Sequence, residues 1–330
     1  MEVSEFSRLL LPLCEADLLT QTRVHRLSSF DTPDATVWLK REDESGFGIS
    51  GCKKRKYASL MPWLARQNCR EVYAVGGSYS NHLPALLQLL REWRIGAHIF
   101  LKTSHGGELR GNALLLHLLS RPEELTRVDP VDWDRVEEIA QQRRAAAANP
   151  DAICVIPEGA FCAAALPGAC TLLPDIVRNE TEPGKAFDHL FIDSGSGMTA
   201  GALILMNALL GRTCPIHVVL TAGEAPFFRQ RLRQLAAWLG DLTGRSADVP
   251  DDFFLYDPVS ARSFGSVNAA VLAETQRIAR EEGVLTDPVY TTKLLMTARQ
   301  LIRSQALTGD VLIVHSGGGT GLMGFGGKWG

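Results

Sequence analysis

Three short segments of this 330-residue chain set chemically capable side chains beside backbone that can approach a ligand closely. The first is Gly51-Cys52-Lys53-Lys54-Arg55-Lys56, where a glycine loop runs into a helix-forming stretch. A lysine there can condense with an aldehyde once its surroundings remove the proton. Four basic residues in succession are also the pattern of a solvated helix face, and the run alone leaves both readings open. The second segment, Ser194-Gly195-Ser196-Gly197-Met198-Thr199, follows the apolar Leu190-Phe191-Ile192 and leads into Ala200-Gly201-Ala202. Small residues between a strand and a helix let backbone N–H groups close on a phosphate. No Gly-Lys-Ser/Thr follows, which excludes the phosphate loop of nucleoside triphosphatases, and the three-glycine dinucleotide fingerprint is absent too. The third segment, Gly76-Gly77-Ser78-Tyr79-Ser80-Asn81-His82, again joins an apolar run to a helix, so that Ser80 or Asn81 is either a plain helix cap or a ligand contact. An imine-forming amine and a phosphate cradle match one cofactor that carries both an aldehyde and a phosphate.

The elements that must position these segments are legible as alternating patterns. Val72–Val75, Ala97–Leu101, Ile153–Ile156, Leu190–Ile192, Ile216–Leu220 and Val311–Val314 are short runs apolar on both faces, as buried parallel strands require. Between them lie amphipathic stretches: Tyr57, Leu60, Met61 and Leu64 repeat at helical spacing, and Val131–Glu138 opens a helix with acids in its first turn. Strand and helix in alternation predict an α/β fold with crossover connections. Ligands in such sheets gather at the carboxyl ends of the strands, where Gly76-Gly77, Gly159, Gly195, Gly223 and Gly317 to Gly319 stand.

With 34 Lys+Arg against 37 Asp+Glu, nothing draws the chain to nucleic acid or to an anionic membrane surface, and a small-molecule partner is expected. Seven cysteines without paired CxxC spacing predict reduced thiols, no disulfide and no metal. The histidines show no metal-ligand spacing; His98 and His217 read as strand residues, His82 and His315 as near the site. No basic leader opens the sequence and no run reaches the ~18 apolar residues of a membrane span, so a cytoplasmic protein is expected.

Lys40-Arg41-Glu42-Asp43, Gly51 to Lys56, Gly76 to His82, Pro157-Glu158-Gly159, Ser194 to Thr199, Asp287-Pro288-Val289-Tyr290-Thr291 and His315-Ser316-Gly317-Gly318 occur in this order. The series resembles the D-cysteine desulfhydrase and 1-aminocyclopropane-1-carboxylate deaminase family, pyridoxal phosphate enzymes of the tryptophan-synthase-β fold type. The resemblance implies a fold type II architecture, two open, twisted, mostly parallel sheets flanked by helices. It implies a large domain from residues 1–52 and 165–330, a small one from 53–164, pyridoxal 5′-phosphate between them, and a homodimer. Lys53 would hold the cofactor as an imine and shuttle the α-proton of an amino-acid substrate. Ser80 would contact the substrate carboxylate or assist proton transfer, Asn81 would bond the ring hydroxyl, and Ser80, Asn81 and His82 together would border the substrate. Gly195, Ser196, Gly197, Met198 and Thr199 would cradle the phosphate, Tyr290 and Phe264 would face the substrate, and Ser316 would lie near the pyridine nitrogen. Glu158 either approaches the substrate or charges a helix start.

Within the family, deaminases typically follow the late tyrosine with an acid; Thr291 stands there in this chain, as in the desulfhydrases. A neutral partner leaves the ring a weaker electron sink, which suits β-elimination of a thiol better than cyclopropane ring opening. The expectation is therefore a D-cysteine desulfhydrase-like enzyme, with the ring-opening deaminase and an inactive cofactor-binding homologue as alternatives. The chain departs from the family pattern at Cys52, where asparagine is usual, at Pro84, where an arginine usually follows Ser-Asn-His, and at Phe264 in place of a tyrosine.

Overall fold

The computed structural model describes residues 3–102, 109–181 and 186–329. Ten strands form in chain order: β1 (Val24–Arg26), β2 (Ala35–Arg41), β3 (Glu71–Gly77), β4 (Gly96–Lys102), β5 (Leu125–Val128), β6 (Ile153–Ile156), β7 (His189–Ser194), β8 (Ile216–Leu220), β9 (Phe253–Tyr256) and β10 (Gly309–His315). They make a six-stranded sheet in the order β1-β2-β10-β7-β8-β9 and a four-stranded sheet in the order β5-β4-β3-β6. Among the described residues only the β1–β2 pairing is antiparallel; every other ladder is parallel. Helices cover the sheets, and apolar clusters line their faces: Val72, Ala74, Leu190 and Ile192 share one core, Phe191, Ile313 and Leu294 a second, and Tyr73, Val75 and Phe100 a third. The α/β architecture with two mostly parallel sheets is thus the one the apolar runs predict.

All six predicted strands are present, and four more join them. β2 escapes a hydropathy reading because it ends in Lys40-Arg41, yet it lies buried between β1 and β10. Its charges are tolerated there because Lys40 is wholly buried among oxygen atoms, those of Thr22, Asp175 and Asn179. The Lys53 segment opens a helix over Cys52–Arg66, as the Tyr57-to-Leu64 spacing predicts. The stretch after Val131 differs: Pro130–Arg135 forms 3₁₀ turns capped by the Asp129 carboxylate, and the α-helix proper runs Val136–Ala145. Asp129-Pro130 supplies a ready-made cap and first turn, which draws the start upstream.

One register places the site. β10 pairs with β2 from Gly309↔Ala35 to His315↔Arg41, so the chain leaving β10 at Ser316 lies beside the chain leaving β2 at Glu42. Residues far apart in sequence thereby share one sheet edge, the carboxyl one.

Candidate active site

Lys53 begins its helix against the loop that follows β10. The Cys52 N–H donates to the Ser316 carbonyl at 3.0 Å, and Gly51 packs so tightly there that a Cβ would lie 2.1 Å from that oxygen. Gly51 also has φ +69°, so only glycine suits the position. The Lys53 side chain is half-buried, and among the described residues no hydrogen bond or ion pair engages its ammonium. The basic run is not a solvated face: Arg55 and Lys56 are 1% and 7% exposed. Arg55 is held by Glu42 and Asp175, while Lys56 donates to the Gly159 carbonyl at 3.3 Å. Burial, then the neighbouring Lys53 charge, pulls Lys56 down to about 8. Cys52 packs into the core, and burial holds its thiol far above the ordinary range.

The second segment closes over the end of β7. The Ser194 carbonyl accepts N–H groups from both Thr221 and Ala222, which fixes the loop to the end of β8. Gly197 is left-handed at φ +87° and starts the helix Met198–Leu209, whose N-terminus has no side-chain cap. Its first N–H groups therefore face the loop. Tyr290 lies over Gly195, where a Cβ would sit 3.2 Å from its ring, and Gly159 lies over Ser196, where a Cβ would sit 2.7 Å from the serine Cβ. Side chains on Gly195 or Gly159 would collide with Tyr290 or Ser196, so these glycines let the loop, Tyr290 and the Gly159 turn approach closely. Met198 itself is fully buried, so its backbone alone borders the loop.

In the third segment the hydroxyl of Ser80, one residue before Asn81, accepts the His82 N–H at 3.0 Å; Asn81 is the N-cap of the helix His82–Glu92, and its own side chain makes no cap bond. Asn81 is oriented by a chain of amides: its Oδ1 accepts from Asn112 Nδ2 at 2.6 Å, and Asn112 Oδ1 accepts from Thr320 at 2.7 Å. Its Nδ2 lies against Gly318, 3.3 Å from where a Cβ would be. His82 is 2% exposed, with Nδ1 paired to the Tyr57 hydroxyl at 2.7 Å. Burial, aided by the charges of Lys56 and Lys53, pulls it down to about 3, so the ring is neutral.

At the opposite wall, Asp287 caps the helix Thr291–Ser304. Its carboxylate accepts the N–H groups of Val289, Tyr290 and Thr291 and the Thr291 hydroxyl. The Thr291 hydroxyl in turn accepts the Asp287 N–H at 2.8 Å, so this side chain is wholly engaged with its own cap. Burial, then the charges of Asp287 and Asp193, pushes the Tyr290 phenol up. Phe264 is 61% exposed and meets Tyr290 edge-on, ring centres 6.1 Å apart. Ser316 is half-buried, and Glu158 is exposed at the rim. His315 donates to or accepts from neighbouring backbone at Leu285 and Gly317. Among the described residues no group of three His, Cys, Asp or Glu side chains could hold a metal.

Two features escape the motif reading. One is the buried network that joins Lys40, Glu42 and Arg55, all motif residues, to Asp175, which lies in none. The other is Asp193, 8% exposed at the penultimate position of β7. Its strand, His189-Leu190-Phe191-Ile192-Asp193-Ser194, offers no local pattern that singles it out.

The chain matches the family model described as pyridoxal-phosphate dependent enzyme over residues 16–317. It is 25% identical over 328 residues to a putative 1-aminocyclopropane-1-carboxylate deaminase of Pyrococcus abyssi, covering 98% of this chain and 95% of that protein. It is 26% identical to a D-cysteine desulfhydrase of Serratia proteamaculans, covering 88% of each. Among solved structures, one described as an ACC deaminase homologue superimposes with a TM-score of 0.85 at 24% identity, covering 98% of both chains.

Proposed function

Because the chain belongs to the family of pyridoxal-phosphate-dependent enzymes, acting as a lyase, we propose that it catalyses β-elimination from a small amino acid, with D-cysteine as substrate and hydrogen sulfide, ammonia and pyruvate as products. The described residues fit the cofactor: an amine with no partner at Lys53, a glycine-bearing loop at Ser194 to Thr199 that leads into an uncapped helix N-terminus, and an amide held in place at Asn81. When bound, the cofactor supplies an aldehyde for an amine and a ring that accepts electrons from a bond broken at the α-carbon.

In this reading Lys53 is the amine that bonds to the cofactor and the base that takes the proton from the substrate α-carbon. Lys56, three residues on, is held by the Gly159 carbonyl and borders the same site. The N–H groups of Gly195, Ser196, Gly197, Met198 and Thr199 hold the phosphate, and Asn81 donates to the ring hydroxyl. Ser80, whose hydroxyl keeps a proton to donate while accepting from His82, faces the substrate carboxylate. Ser316, on whose carbonyl the Lys53 helix rests, lies at the ring nitrogen.

One observation carries the choice of leaving group. The wall formed by Tyr290 and Phe264 offers one phenol, not two. A thiolate, with an ordinary pKa of about 8.5, departs without a proton donor, so the phenol missing at Phe264 costs it less than it costs a carbon leaving group, which must be protonated. The support that Thr291 lends is smaller, because its hydroxyl is turned into Asp287. The division into residues 1–52 with 165–330 and 53–164, and assembly as a cytoplasmic homodimer, belong to the same reading. No helix among the described residues is long and apolar enough to cross a membrane.

Purified protein reconstituted with the cofactor should show a visible absorbance band that borohydride abolishes and that Lys53→Ala lacks. With D-cysteine it should release sulfide and pyruvate in equal amounts. Release of 2-oxobutanoate from 1-aminocyclopropane-1-carboxylate without sulfide from D-cysteine refutes the substrate assignment, and a band with neither turnover identifies an inert binder.

A further inference from the structure

We infer that Asp193 is the acid partner of the cofactor ring nitrogen, placed beside Ser316 at the end of β7 rather than after the tyrosine at position 291. The inference rests on the cofactor reading above and deepens it. Asp193 and Ser316 stand at the carboxyl ends of neighbouring parallel strands, since β7 pairs with β10 through Val311↔His189, Leu312↔Leu190 and Ile313↔Phe191. Asp193 leads directly into the Ser194–Gly197 loop, and Ser316 carries the start of the Lys53 helix on its carbonyl. A cofactor tied to Lys53 at one end and to that loop at the other has its ring over this floor.

The carboxyl is built to meet something. It is more than nine-tenths buried, and its Oδ1 has no hydrogen-bond partner among the described residues. An unpaired carboxyl oxygen in such a place is costly unless a ligand completes it. The groups that face it are Ser316 after β10, Lys53 and Lys56 from the Cys52–Arg66 helix, and Asp287 and Tyr290 from the opposite wall. Burial raises its pKa, while the Ser316 hydroxyl and the Lys53 charge oppose that rise. Of the cofactor's polar groups, the phosphate and the ring oxygen are anionic and repel a carboxylate. The ring nitrogen is the one group that gains from it, as a protonated N–H⁺ donating to carboxylate. Thr291 cannot play this part, because both its hydroxyl bonds run to Asp287.

The test reads the ring nitrogen itself. Holoenzyme reconstituted with cofactor labelled with ¹⁵N in the ring should give the upfield shift of a pyridinium at pH 7 to 8, and Asp193→Asn should move it to the neutral pyridine position. The ratio of affinities for the cofactor and for its analogue with carbon in place of the ring nitrogen should fall about ten- to hundredfold in Asp193→Asn, the scale of one charge-assisted hydrogen bond. A neutral ring nitrogen in the unaltered holoenzyme overturns the inference whether or not the variant folds, while leaving the cofactor reading intact. A pyridinium signal unchanged in Asp193→Asn also overturns it. Failure of the unaltered protein to bind the labelled cofactor overturns both.

Discussion

Replacing Glu42 by glutamine tests the foundation on which Lys53 stands. Glu42 is fully buried and accepts three hydrogen bonds, from Arg55 Nε and Nη2 at 2.7 Å each and from the Thr22 hydroxyl at 2.6 Å. Arg55 reaches Asp175 as well, and Lys40 reaches Asp175 at 2.6 Å, so two buried cations balance two buried carboxylates. Arg178 joins Asp175 from the more exposed edge. Glutamine keeps the shape but turns an amide N–H₂ toward a guanidinium donor. One charge-assisted hydrogen bond is lost, about 1.5–3 kcal/mol, and a net positive charge is left in the core. Together these place the cost at about 3–5 kcal/mol, a roughly hundredfold to several-thousandfold fall in the folded-to-unfolded ratio. Urea unfolding followed by tryptophan fluorescence and far-ultraviolet circular dichroism reads the loss. The double variant Glu42→Gln with Arg55→Met removes the stranded charge and should recover part of it. A loss in Glu42→Gln below about 1 kcal/mol, or a double variant as unstable as the two single losses added, refutes the picture of a dry, balanced network.

Acid should destabilise the fold through two neutral histidines. Burial holds His82 near 3 and, with the His189 charge, His217 near 4, whereas in the unfolded chain both take a proton near the ordinary 6.5. The unfolded state then binds more protons between about pH 6.5 and 4, and stability falls with pH across that window. Urea midpoints for His82→Gln should change less steeply there than those of the unaltered protein, and equal slopes refute the assignment. Gly159→Ala puts a Cβ 2.7 Å from the Ser196 Cβ and should weaken cofactor binding about tenfold or more; an unchanged fluorescence titration counts against the Ser194–Thr199 loop as the phosphate site. Phe264→Tyr, at a residue 61% exposed, should leave stability within about 0.5 kcal/mol. It should also raise turnover of substrates whose leaving group needs a proton relative to D-cysteine; an unchanged ratio shows that the second phenol is not what restricts the leaving group.

The layout was readable wherever local pattern and tertiary role agree. Val311–Val314 and Ile216–Leu220 are apolar because both faces of their sheet are covered, and the glycines after β3, β7 and β10 sit where strands meet a ligand edge. Reading failed where a partner distant in sequence changes the meaning of a residue. Lys40 and Arg55 look like surface charges until Asp175, far along the chain, is folded against them. Thr291 looks like a neutral partner for the ring until Asp287 turns its hydroxyl away. Asp193 carries no local pattern that separates an active-site acid from a strand-end cap; only its burial and its empty Oδ1 do so.

The bond from the Cys52 N–H to the Ser316 carbonyl joins residues 264 positions apart, and it forms only after β10 has entered the sheet between β2 and β7. The Lys53 helix is thus anchored by a strand distant in sequence. During synthesis, the amine, the cradle after β7 and the floor of the site exist as separate pieces until residues 309–315 emerge and pair. The start of the Lys53 helix therefore takes its place only once that long-range pairing is made, so its position depends on non-local contacts rather than on its own helix propensity.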